Sequence, residues 1–303
     1  MPHYPVLAIG LLMAWVPCAP AACGGHGDHE SLLVPTGWLG EHLKDGEVVV
    51  LAIGEKRDYD AGHIPGSRFL NYPDVVVAKS ADGLRVELPP MDRLGEVFAA
   101  LGVSNTSRVV LYPLKEWNSL VGRVWLTLDA MGLGGRASIL NGGLPLWQSE
   151  GRPVSSDVPA PARGRIEPCP QADVIARLDD VRSAVRRPGV EIIDARTPEF
   201  YTGAQLMPGK RAGHIPGASN LTFSTLVTKE GKLLPDAELQ AKFREAGVRA
   251  GDRIISYCHI GQQASLVYFV ARYLGYDARM YDGSWDEWSE HAELGAETGG
   301  YQR

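Results

Sequence analysis

Cysteine is scarce in this chain. The 303 residues hold four, Cys18, Cys23, Cys169 and Cys258. That is too few and too scattered for a disulfide scaffold, and no two form the CxxC spacing of a zinc site. Excess positive charge is also missing. Thirty Lys and Arg stand against 36 Asp and Glu, a net charge of −6. No basic field is therefore offered to nucleic acid. Long apolar runs are missing too. The longest, Val6–Val16, has about eleven residues, whereas a membrane span needs about 20. What is present is globular: 45% apolar and 22% charged residues exclude a disordered chain, a collagen and a coiled coil. At about 100–200 residues per domain the length suggests two domains.

The apolar run fits a secretory signal core of about 7–15 residues, and Ala19, Ala21 and Ala22 supply a cleavage region. Residues 1–23 are read as an export segment. The protein is then expected outside the cytoplasm, in the periplasm, with Cys23 a candidate lipid anchor.

The rest of the chain is a duplication. AGHIPG occurs at Ala61–Gly66 and again at Ala212–Gly217. The flanks agree: RVVLYP (Arg108–Pro113) matches RIISYC (Arg253–Cys258), and NGGLPLW (Asn141–Trp147) matches DGSWDEW (Asp282–Trp288). Short β-rich runs at Val48–Ile53, Val109–Tyr112, Glu191–Ala195 and Ile254–Tyr257 alternate with helical stretches, Ser119–Met131 and Gln263–Leu274. Leu266, Phe269, Val270, Tyr273 and Leu274 make a helical stripe that Gly275 ends. This pattern predicts an α/β fold of two domains, each a parallel sheet flanked by helices. The first domain covers residues 31–153, a Pro- and Ala-rich linker 154–170, and the second domain 171–290.

The chemistry is expected where the copies differ. In α/β sheets ligands bind outside the carboxyl ends of the strands. There the second copy has Cys258, followed by His259-Ile260-Gly261-Gln262-Gln263 and a helix. Loop N–H groups and the positive helix end stabilise a thiolate, the nucleophilic form of cysteine. The first copy has Pro113 instead, with neither thiol nor N–H. Asp194 and Arg196 correspond to Ala52 and Gly54. The second copy is read as catalytic and the first as degenerate.

The two GHIPG strings, Asp194-Ala195-Arg196, the Cys258 loop and Asp282-Gly283-Ser284-Trp285 together resemble the rhodaneses, over residues 31–290. The resemblance implies tandem domains, inactive then active, and sulfur transfer through a persulfide on Cys258. It assigns the backbone of His259, Ile260, Gly261, Gln262 and Gln263 to a substrate cradle, and Arg211, beside Lys210 in the insertion Gly203–Arg211, to an anionic donor. His259 is the one loop side chain that could add positive charge. Asp194 and Arg196 are read as a supporting pair, and His63 and His214, shared by both copies, as turn-fixing residues. Thiosulfate is the expected donor. The alternatives are 3-mercaptopyruvate, whose branch has a different loop after the cysteine, and a non-catalytic sulfur carrier. A cysteine phosphatase would need an arginine six residues after Cys258, where Ala264 stands. The expected partners are small molecules, with no metal, no cofactor and a monomeric chain.

Overall fold

The computed structural model describes residues 29–115 and 119–300. The export segment 1–23, with Cys23, lies outside the described residues. The first copy has five strands: β1 (Leu33–Val34), β2 (Val48–Ile53), β3 (Arg68–Leu70), β4 (Arg108–Pro113) and β5 (Ala137–Leu140). The second has β6 (Ile175–Ala176), β7 (Val190–Asp194), β8 (Ser219–Asn220), β9 (Arg253–Tyr257) and β10 (Asp277–Tyr281). The orders are β1-β5-β4-β2-β3 and β6-β10-β9-β7-β8, with parallel pairing throughout. In each sheet the chain leaves the central strand (β4, β9) toward one edge and its neighbour (β2, β7) toward the other, which opens a crevice at the carboxyl ends of that pair.

Both faces of each sheet are covered, and the inner strand β2 is accordingly apolar along its whole length. In β2 the period of two sends Val49, Leu51 and Ile53 to one core and Val50 and Ala52 to another. The first of these cores is shared. It also takes Ile254 of β9 and Leu266, Val267, Tyr268 and Phe269 of the following helix, so apolar packing runs unbroken between the copies.

The Ser119–Ala130 and Ala264–Tyr273 helices meet at the centre of that shared core. Trp125 meets Phe269 edge-on at 5.0 Å between ring centres. At Gly122 a Cβ would fall 3.0 Å from the backbone nitrogen of Leu266, so the helices approach backbone to backbone. A single apolar stripe was expected on the second helix. Instead every residue from Ala264 to Ala271 is buried, because the helix lies between its own sheet and the partner helix.

Candidate active site

β9 ends at Tyr257 and the next residue, Cys258, is fully buried. Strand parity explains where the sulfur goes. Ile255 and Tyr257 pack on the outer side of the sheet, whereas Ile254 and Cys258 belong to the core shared with the first copy. The thiol is thus delivered to the domain interface. Cys258 is a free cysteine, whereas Cys169 is disulfide-bonded.

The loop after Cys258 turns its carbonyls outward. Trp285 N–H donates to the Cys258 carbonyl at 3.0 Å and Asp286 N–H to the His259 carbonyl at 2.9 Å. Ser265 Oγ donates to the Gly261 carbonyl at 2.7 Å. Among the described residues no acceptor takes the N–H groups of His259, Ile260, Gly261, Gln262 or Gln263. Five adjacent donors next to one sulfur form a ready anion cradle. Gly261 makes the turn possible with φ +77°.

Ser284 completes the turn. Its Oγ accepts the Cys258 N–H at 3.2 Å and donates to the Tyr281 carbonyl at 2.9 Å. Ser284 has φ +53°, a backbone region that costs a side chain about 1–2 kcal/mol. The first copy has Gly143 at this position, at φ +54°. A Cβ on Gly143 would lie 2.6 Å from the Pro113 ring. The two positions therefore differ together: proline needs the bare glycine, and cysteine has an N–H that a serine can accept. Sequence reasoning assigned Ser284 no role; its alignment with Gly143 was the available signal.

Asp194 and Arg196 form a buried pair. Arg196 Nε and Nη2 donate to the two carboxylate oxygens, the latter at 2.5 Å, and Nη2 also reaches the Gly213 carbonyl at 2.7 Å. Tyr257 Oη donates to Asp194 Oδ2 at 2.7 Å and accepts the Ile215 N–H at 3.1 Å. Arg196 lies over the Trp285 ring at 4.8 Å. Burial pushes the Arg196 guanidinium down, but Asp194 overcomes this and holds it above its ordinary value. In the first copy Ser67 replaces the carboxylate as partner of Tyr112. His63 and His214 stack on Tyr59 and Tyr201 and bond their carbonyls through Nδ1, both at 2.8 Å.

Two expectations are corrected. Arg211 is not aimed at a donor. Its guanidinium bonds the carbonyls of Trp288, Ser289, His291 and Leu294, at 2.7 to 3.1 Å, and clamps the chain after the Ser284–Trp288 helix. Nε, Nη1 and both bonds of Nη2 thus use four of the fork's five N–H donors on carbonyls. His259 does not supply positive charge either. Burial, then the charge of Arg196, push its imidazole down to about 4, so it is neutral at ordinary pH. Its ring sits edge-on to Phe200 at 4.5 Å, with Nδ1 against Met207 Sδ at 2.8 Å. Gln262 turns toward the first copy, donating to Ser119 Oγ at 3.3 Å, while Gln263 Oε1 is buried without a partner among the described residues.

The neutral His259 has a measurable consequence. Its folded value lies below the ordinary 6.5, so the unfolded chain binds more protons between about 4 and 6.5. Stability is therefore expected to fall as pH drops through that window. His259→Gln should flatten the fall in unfolding midpoints measured from pH 7 to 4; an unchanged slope would contradict the assignment.

The remaining charges near the loop are paired. Asp286 takes Arg85 in two hydrogen bonds at 3.1 and 3.2 Å and Lys210 at 2.8 Å. Burial raises the Asp286 carboxyl, but these cations outweigh it and hold it below its usual range. Lys210 also meets Glu290. Among the described residues no group of three His, Cys, Asp or Glu could hold a metal ion.

The chain is similar to known proteins over most of its length. Residues 36–150 and 177–291 each match the rhodanese-like domain. A Thermus thermophilus protein named sulfur carrier protein TtuD is 33% identical over 279 residues, covering 86% of this chain and 94% of its own. The thiosulfate sulfurtransferase of Azotobacter vinelandii is 31% identical, covering 88% and 97%. The solved 3-mercaptopyruvate sulfotransferase SseA of Escherichia coli superposes with a TM-score of 0.73 at 27% identity, over 84% of this chain and 99% of that one.

Proposed function

The chain belongs to the rhodanese family, as a sulfurtransferase of two rhodanese-like domains in tandem, and from that premise we propose that Cys258 carries sulfur as a persulfide from thiosulfate to a thiophilic acceptor. The Cys258 thiolate attacks the outer sulfur of thiosulfate. A new S–S bond forms, the old one breaks, and sulfite leaves with the bonding pair. Cyanide or a thiolate then attacks the terminal sulfur, and the cysteine thiolate is regenerated. This is covalent catalysis in two half-reactions, with ping-pong kinetics. The observation that carries the reading is the buried sulfur followed by five N–H groups without an acceptor among the described residues. Those donors suit the terminal sulfur of a persulfide anion, since they stabilise charge without having to reorganise.

One observation favours a second donor. Arg196, Arg85 and Lys210 are neutralised by carboxylates, Arg211 is spent on carbonyls, and His259 is neutral. A dianion such as thiosulfate finds no uncommitted cation among these, whereas 3-mercaptopyruvate has a single carboxylate. Thiosulfate is still favoured by the similarity to enzymes that carry its name. The test is kcat/KM for both donors on one preparation, with cyanide as acceptor. Thiosulfate is expected to be the better donor; a clear preference for 3-mercaptopyruvate overturns that choice and leaves the persulfide in place. Persulfide formation without turnover on either donor would make the chain a carrier.

Export to the periplasm is proposed on the apolar segment Val6–Val16, whose length fits a signal core. No helix among the described residues is long and apolar enough to cross a membrane.

A further inference from the structure

The first copy has no thiol of its own at the strand end, yet it touches the sulfur loop from below. We propose that Arg123, in the Ser119–Ala130 helix of that copy, is a positioning residue for the sulfur site of the other; this rests on the sulfur-transfer reading above. Arg123 is fully buried. Its Nη1 donates to Asp282 Oδ1 at 2.5 Å and reaches the Gly261 carbonyl at 3.4 Å, while Nη2 donates to the Val86 carbonyl at 2.5 Å. The second Asp282 oxygen accepts the Leu88 N–H at 3.0 Å. Gly261, in the middle of the sulfur loop, rests directly on this pair. A Cβ there would lie 2.9 Å from Asp282 Oδ1 and 3.2 Å from Arg123 Nη1.

The pseudo-symmetry of the two copies separates positioning from plain docking. One bond across the interface recurs in both directions: Leu233 N–H donates to Asn141 Oδ1 at 3.0 Å, mirroring Leu88 and Asp282. The charge pair does not recur. Asn141 stands where the other copy has Asp282, and Tyr268, counted from the strand end, stands where the first copy has Arg123. Tyr268 bonds Asp129 at 2.6 Å instead. The ion pair thus exists only beneath the loop that carries sulfur. A buried ion pair is a weak net stabiliser compared with apolar side chains of similar size, so stability alone does not account for it. It fixes geometry: two oxygens and a fork hold Asp282, and Asp282 with Arg123 floors the turn at Gly261.

Arg123→Met alone strands a buried carboxylate and can unfold the chain, so the decisive variant is Arg123→Met/Asp282→Leu, which removes both charges together. Tyr268→Phe is the control, since it removes a buried bond across the same interface with no hydrogen bond to the loop. The double variant is expected to fold, by circular dichroism, and to lose about 10²-fold in kcat with little change in KM, the cost of misplacing a reacting group by about 1 Å. Hydrogen exchange of the peptide spanning residues 259–266 should quicken in it. Tyr268→Phe should lower the unfolding midpoint and leave kcat and that exchange alone. Arg123→Lys, which keeps one charge on Asp282, should recover much of the lost kcat. A double variant with wild-type kcat and wild-type exchange overturns the proposal, as does an equal loss of kcat in Tyr268→Phe. A wild-type protein that transfers no sulfur defeats the parent reading alone, because loop exchange still reports on the brace.

Discussion

Cys258→Ser is expected to abolish sulfur transfer, with a loss in kcat/KM of about 10⁴-fold or more, as for other nucleophile deletions. Serine fits the site: it is smaller than the fully buried cysteine, keeps the N–H that Ser284 accepts, and leaves the loop backbone free to fold. The loss is therefore chemical. A hydroxyl at this position is scarcely ionised and forms no bond to sulfur that an acceptor could break. Thiosulfate incubation followed by intact-mass measurement should add one sulfur atom to the wild-type protein and none to the variant. Unfolding curves of the two should nearly coincide. Undiminished thiocyanate production by the variant would remove Cys258 from the mechanism and the persulfide with it.

The second large effect is on stability. Asp194→Ala leaves Arg196, which is 1% exposed, charged and without its carboxylate, and it also removes the acceptor of the Tyr257 hydroxyl. Breaking a buried pair from one side costs about 3–5 kcal/mol. Against a total stability of about 5–15 kcal/mol this is enough to leave much of the protein unfolded near physiological temperature. Asp194→Ala/Arg196→Leu should recover a large part of the loss, because no buried charge remains. Urea unfolding of the three proteins decides the point. A double variant no more stable than the single one would mean that Arg196 is solvated by some other route. The prediction also explains how the first copy manages without the pair: with Ala52 and Gly54 it lacks both charges, and Ser67 serves Tyr112.

Much of this was legible in sequence because the signals are local. A strand buried on both faces has to be apolar throughout, so Val48–Ile53 appears in the structure with the bounds read from the pattern. The Ser119–Ala130 and Ala264–Tyr273 helices begin and end within a residue of their expected limits. The Cys258 loop was legible for the same reason, since a strand end, a glycine and a helix start lie within a few positions. What the Arg211 fork binds and whether the His259 ring is charged were not legible, because both are set by neighbours remote in sequence. The carbonyls that occupy Arg211 lie 77 to 83 residues further on. The charge that suppresses His259 comes from Arg196, and its apolar cover from Phe200 and Met207.

The sequence by itself determined the duplication, the parallel α/β fold and which copy has the thiol. Each of these rests on periodicity or on a short run of adjacent residues. The tertiary structure alone decided which way the sulfur faces and what stands beside it. The parity of β9 sends Cys258 into the core shared by both copies, and the close approach at Gly122 brings in the helix carrying Arg123. Arg123 and Asp282 are 159 positions apart. No local pattern relates them; only the docking of two sheets around one core makes them neighbours.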